Sequence, residues 1–190
     1  MTQIKFTIVF CFIFSIKISF SNNFENLSSK SDKFLSDESF LEKIYSKDSA
    51  IDFDSYVFAI QLPIVHCFKF PNCFEKLEKI PKNTFTIHGL WPNLKGKSKE
   101  DCNIGQRIDV EFSDEKVEHL AKRYWKSLKD DDKSFWEHEF NKHGYCWNLR
   151  YEKTNPEQYF KFVLELYLNL GFEKIIHEVF GINDKNKTQE

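Results

Sequence analysis

Phe135-Trp136-Glu137-His138-Glu139-Phe140-Asn141-Lys142-His143-Gly144-Tyr145-Cys146 is the densest run of ionisable and aromatic side chains in the sequence. Read as a helix at about 100° per residue, it puts His138, Glu139, Lys142 and His143 within an arc of roughly 140°. Phe140 points the opposite way, toward a core. One helical face thus collects two imidazoles, a carboxylate and an ammonium, and crowding of that kind marks places where titratable groups act together. A solvated amphipathic face is the plainer alternative for this segment taken alone. Zinc fits poorly. A metalloprotease helix needs His-Glu-x-x-His so that both imidazoles meet one ion, whereas His138 and His143 lie one position too far apart, with no third ligand at zinc spacing.

About fifty residues upstream stands Phe85-Thr86-Ile87-His88-Gly89-Leu90-Trp91-Pro92. His88 is expected at the end of a strand-like run, where loops present reactive groups. Gly89 permits close backbone approach, and Trp91 offers a flat face for support or stacking. A buried structural histidine beside a core tryptophan is the alternative. Taken together, three histidines, a carboxylate and a lysine without a credible metal suit phosphoryl transfer by general acid–base catalysis. Two imidazoles share the roles of proton acceptor and donor, and cations neutralise charge growing on phosphate oxygens.

The flanking sequence supplies a scaffold. Tyr56, Phe58, Ile60 and Leu62 alternate with Val57, Ala59 and Gln61, as in a buried strand, and Pro63 ends it. Thr84-Phe85-Thr86-Ile87 is a second strand, punctuated by Gly89 and Pro92. Ser113 or Asp114 opens a helix with Val117, Leu120, Ala121, Tyr124 and Leu128 on one face. The Asp130-Asp131-Asp132 turn breaks it, and a shorter helix starts near Ser134. Asn155-Pro156-Glu157-Gln158 reads as a cap, a first-turn proline and a capping-box partner. The helix it opens ends at Gly171. Separated strands mixed with helices predict an α+β domain, an antiparallel sheet core flanked by several helices. His66, His119 and His177 read as structural or solvated.

The 190 residues allow one ordinary domain. Lys5, the apolar run from Phe6 to Ile16, and Ser19 and Ser21 predict a secretory signal over 1–21, cleaved before Asn22. Lys17 interrupts that run well short of the ~20 apolar residues a membrane anchor needs. Residues 22–50 form a polar leader and 51–190 the domain. Without 1–21 the chain keeps 25 basic and 29 acidic residues, a net charge of −4, which excludes a uniformly basic nucleic-acid binder but not a local cationic cleft. Four cysteines remain, Cys67, Cys73, Cys102 and Cys146; behind a signal they predict two disulfides, with three pairings open. Two sequons, at Asn26 and Asn186, suit a secreted glycoprotein.

The segments 85–92 and 135–146 resemble, in order, the two active-site signatures of the T2 family of secreted acid ribonucleases, and the likeness runs from about Phe53 to Gly181. It implies an endoribonuclease that cuts single-stranded RNA through a 2′,3′-cyclic phosphate, without metal or cofactor. It implies a T2-like α+β fold and a monomer, secreted or held in a lysosomal or vacuolar lumen, with no membrane attachment after signal cleavage. Dependence on the ribose 2′-OH makes DNA a non-substrate. Carried over by motif position, His143 is the proton acceptor and His88 the donor. Glu139 acts on the phosphoryl oxygen, Lys142 and His138 stabilise the pentacovalent state, and Trp91 supports the site or binds substrate. The implied disulfides are Cys67–Cys73 and Cys102–Cys146. Two departures stand out. Leu62 replaces a usual tryptophan, and the sequence ends at Glu190, where members usually continue through further strand and another cysteine pair. A C-terminally short domain is therefore expected. The competing readings are a catalytically impaired secreted effector or RNA binder, and a metal-dependent hydrolase.

Overall fold

The β-branched and aromatic residues of 55–61 form the central strand of a four-stranded antiparallel sheet in a computed structural model. The model describes residues 15–21, 53, 55–80, 84–100, 102, 105, 107–151, 153 and 155–172. The strand order is β1 (Ser15–Ser21), β2 (Ser55–Gln61), β3 (Thr86–Leu94) and β4 (Lys97–Ser98). Phe58, Ala59 and Ile60 of β2 are all fully buried, so the strand is covered on both faces. β1 lies within the stretch read as a secretory signal and pairs along the whole outer edge of β2. Cleavage before Asn22 would remove β1 and open that edge. The polar leader at 22–50, both sequons, His177 and Gly181 lie outside the described residues.

Pro63 ends β2 as expected, but it also starts a helix, α1 (Pro63–Lys69), that the sequence reading did not foresee. A proline at the first helical position lacks only an N–H that would have had no partner, and its φ is already helical. A 3-10 turn at Pro71–Cys73 and the short α2 (Phe74–Leu77) complete this excursion, which the Cys67–Cys73 disulfide closes.

β3 corrects the second strand expectation, because it runs straight through Gly89 and Pro92. The Pro92 carbonyl accepts from the Lys99 N–H on the β4 side, so the missing proline N–H also faces that way, beyond the two-residue end of β4. No bond to β2 is lost.

The helical half follows its signals closely. α3 (Glu115–Tyr124) is capped by Asp114, whose side chain accepts from the N–H groups of Lys116 and Val117. The expectation that α3 runs through Leu128 to the triple-aspartate turn is corrected: α3 stops at Tyr124, and Leu128 lies in the connecting stretch. The aspartates only open the next helix, where Asp131 caps α4 (Asp132–Glu139). A π turn, Phe140–Gly144, joins α4 to α5 (Tyr145–Arg150). Asn155 caps α6 (Pro156–Leu170), and Gly171 stops it in the left-handed region at φ 60°. Glu157 does unexpected work. Its carboxylate accepts from Ser113 N and Oγ and from Asp114 N, serving the start of α3 rather than its own helix. Sheet residues such as Ile60, Ile87 and Leu90 pack against Val117, Trp125, Phe140, Phe160 and Val163 from the helices in the main core, and Cys67, Cys73, Ile80 and Leu128 form a second, smaller cluster. Among the described residues no helix is long and apolar enough to cross a membrane.

Candidate active site

His88 is presented by a defect in the ladder, not by a loop at a strand end. Gly89 pairs with Ala59 and Ile87 with Ile60, so two consecutive β2 residues face a three-residue stretch of β3. His88 is the extra residue of this β-bulge. A bulge re-aims a side chain that a regular pleat would hold to one face. The arrangement is fixed from the helices. Trp125 Nε1 donates to the His88 carbonyl at 2.9 Å, and the Trp125 carbonyl in turn accepts from Trp136 Nε1 at 2.7 Å. The Tyr159 hydroxyl both donates to Leu90 O and accepts from Leu90 N.

The second segment reaches the same spot through the π turn, which opens the helix by one residue between Glu139 and Gly144. Glu139 and His143 are buried, Lys142 is half-buried and His138 exposed, so the single face expected from an ideal helix is divided. Phe140 is in the core, as its opposed direction suggested. Asn141 turns to the chain upstream, where its amide bonds both polar groups of the Ile108 backbone, so its part in the motif is structural.

At the meeting point Glu139 Oε1 lies 3.4 Å from His88 Nε2, while Glu139 Oε2 accepts from Trp91 Nε1 at 2.9 Å. The Trp91 ring lies 5.2 Å from the His143 ring, tilted by 32°, and 5.4 Å edge-on from that of His88. Gly89 makes this possible. A Cβ there would collide with the Glu139 carboxylate and come within 2.6 Å of the indole nitrogen.

Burial divides the titrations. It acts to raise Glu139, but hydrogen bonding and charge from His88, the indole N–H and His143 outweigh it, and the carboxyl sits below its ordinary value. His143 is pushed down to about 4, chiefly by burial; Glu139 and Glu100 pull upward, while Lys142 and His138 add to the depression. Its Nδ1 is buried without a hydrogen-bond partner among the described residues. The His88 side chain is 35% exposed.

The rim holds the remaining candidates. Lys142 Nζ lies 3.5 Å from a Glu100 oxygen, a partner the sequence reading missed. Glu100 is held below its ordinary value by a hydrogen bond from Ser98 and, against some desolvation, by the charges of Lys142 and His143. Acidic residues are too common for Glu100 to have stood out. His138 contributes charge at a distance rather than contact. The Cys102–Cys146 disulfide ties the stretch after β4 to α5 just beyond the π turn, and Cys67–Cys73 is the other pair. His119 is exposed on α3. His66, expected to be structural or solvated, is half-buried; burial, His88 and Lys69 all lower it, so it stands within electrostatic reach of the site. Among the described residues no three His, Cys, Asp or Glu side chains come together to hold a metal ion.

An α+β protein with two histidines around a buried carboxylate and an indole is the class that fold and site define. The model of the ribonuclease T2 family matches residues 53–189, and the chain belongs to that family. It is 36% identical over 131 residues to ribonuclease Oy of Magallana gigas, covering 66% of this chain and 59% of that protein. It is 34% identical over 146 residues to ribonuclease MC of Momordica charantia, covering 73% and 70%. A solved structure of ribonuclease MC1 from bitter gourd seeds aligns with a TM-score of 0.45 at 29% identity, over 62% of this chain and 58% of that one. The chain spans about half the length of most of the relatives it matches.

Proposed function

We propose that the chain is a metal-independent endoribonuclease acting on single-stranded RNA by transphosphorylation. The observation that carries this reading is the pair of imidazoles of unequal exposure around Trp91, with Glu139 ionised beside them. His143, neutral at mildly acid pH, takes the proton of the ribose 2′-OH as its oxygen attacks phosphorus. The P–O5′ bond breaks, and a protonated His88 gives its proton to the leaving 5′-oxygen. The products are a 2′,3′-cyclic phosphate and a 5′-hydroxyl. In the second step water attacks the cyclic phosphate with the two roles exchanged, leaving a 3′-phosphate. Glu139 faces His88 rather than open space, which supports a positioning role, holding the imidazolium as its ion partner, in place of direct action on a phosphoryl oxygen. Lys142 and His138, at the rim, neutralise charge on the phosphate oxygens, and Trp91 is the wall between the histidines. DNA, lacking the 2′-OH, is not cleaved.

The setting we infer is a disulfide-bonded monomer in an acidic, secretory or vacuolar compartment, entered through the signal over 1–21. N-terminal sequencing of the exported product tests that part: a start at Asn22 supports it, whereas retention of residues 15–21 would leave β1 in the mature fold. For the chemistry, the mature chain is mixed with a short single-stranded RNA at pH 5 in EDTA, beside His143→Ala and an all-deoxy substrate. Cleavage to cyclic-phosphate ends by the wild type alone is the expected result. A folded wild-type chain that cuts nothing would move the reading to a non-catalytic RNA-binding effector, and cleavage abolished by EDTA would move it to a metal-dependent hydrolase.

A further inference from the structure

We propose that the exposed rings on α1 and the turn after it form a stacking track for single-stranded RNA on the 3′ side of the cleaved bond; this rests on the RNA-cleaving reading above. The backbone brings the two places together. Gln61 pairs with Thr86 and Ile60 with Ile87, immediately before the bulged His88, and α1 begins two residues after Gln61. The helix therefore leaves the sheet beside His88, and His66 on it feels the His88 charge.

From His66 outward the surface is aromatic. The His66 ring lies 4.9 Å from that of Phe70, tilted by 39°, and Phe68 lies 6.0 Å from Phe74 in an edge-on pair. Phe68 is 74% exposed, Phe70 47% and Phe74 40%. Single exposed apolar residues are ordinary, but here two ring pairs, His66–Phe70 and Phe68–Phe74, stand within nine positions from α1 to the start of α2, and clustered exposed rings mark binding sites. The buried Cys67–Cys73 bridge fixes the backbone between them. Exposed Lys69 places its ammonium 5.5 Å from the Phe70 ring centre. Rings for bases with an adjacent cation for the phosphate backbone is the combination that holds single strands without sequence preference. The direction follows from the proposed roles: His88 protonates the leaving 5′-oxygen, so the strand passing His88 is the portion 3′ of the cut.

The test uses substrates with a single ribonucleotide: a minimal dinucleotide, the same core extended by four deoxynucleotides on the 3′ side, and the same extended on the 5′ side. Wild-type protein should gain at least about 5-fold more in kcat/KM from the 3′ extension than from the 5′ one, the factor that about 1 kcal/mol of base stacking provides. Phe68→Ser/Phe70→Ser should lose that excess while keeping its dinucleotide rate, and Phe68→Tyr/Phe70→Tyr should retain it. If the double serine variant melts early, Phe68→Ser alone, at the most exposed ring, should lose part of the excess. Equal gains from both extensions, an excess that survives the serine variants, or a wild-type dimer that the serine variants dissolve would overturn the track. A wild type that leaves the dinucleotide uncut would overturn the RNA-cleaving reading, and the track with it.

Discussion

His88 and His143 reach one site by two different backbone irregularities, a one-residue bulge in a strand and a π turn in a helix. The difference lies in what surrounds them. The bulge leaves His88 half-buried, while the π turn sinks His143 into the interior. The same imidazole thereby meets water in one case and is desolvated by burial in the other. A proton donor needs contact with a charged partner and with substrate; a proton acceptor needs to stay neutral in acid. In the proposed mechanism, role follows from burial more than from residue type.

The strongest way to break this comparison is to remove each ring. His88→Ala and His143→Ala should each lower kcat/KM by about 10²–10⁴-fold, and the double variant should lose little more, since residues that act as a unit are not additive. Losses that multiply would mean the two act independently. Stability gives the next largest effect. The folded His143 value of about 4 lies below its ordinary 6.5, so between those values the unfolded chain binds more protons. Stability is therefore full above pH 6.5 and lost as pH falls toward 4, by up to about 3 kcal/mol from this group. Glu139 adds a loss of the same sign in the carboxylate range. Chemical denaturation of His143→Gln across that window should give a flatter pH dependence; an unchanged slope would show that burial of His143 is not its source.

Gly89→Ala sharpens the comparison at the point both halves share. The new methyl displaces the Glu139 carboxylate and the indole, which should reduce stability by about 1–3 kcal/mol and lower activity. Wild-type melting and rates would refute the close approach. The smallest effect belongs to the rim. Glu100→Gln leaves Lys142 unpaired at a partly exposed site, so stability should change by no more than about 1 kcal/mol. The charge of Glu100 pulls His143 upward, so its loss should move the His143 titration further toward acid, as an NMR titration would record.

Much of the scaffold was legible because its signals are local. Asp114, Asn155 and Gly171 end their helices where side-chain oxygens or a left-handed φ are required, and the end of β2 was written in Pro63. The two chemical segments were legible as clusters. What escaped was decided by distant partners. Gly89 and Pro92 look like punctuation until β2 supplies a pairing register and Lys99 supplies the end of the ladder. The bulge exists only relative to β2. The division of 138–143 into buried and exposed groups needs the π turn, which residue spacing read at ideal helical pitch does not contain. Nothing in the sequence signals that the Glu157 carboxylate serves the start of α3, forty-odd residues upstream.

The bonds that brace the bulge have one more effect. Over residues 85–90 the side of β3 away from β2 lies ahead of the short β4, which pairs only with Asn93 and Leu94. An open row of peptide groups there would be a template for another chain. Instead, the Tyr167 hydroxyl takes the Phe85 carbonyl, the Trp125 indole takes that of His88, and the Tyr159 hydroxyl takes both polar groups of Leu90. Rings from the helices stand where a neighbouring backbone would. The strand that carries the candidate site is thereby shielded from pairing with copies of itself, and losing one of those hydroxyls is expected to lower solubility.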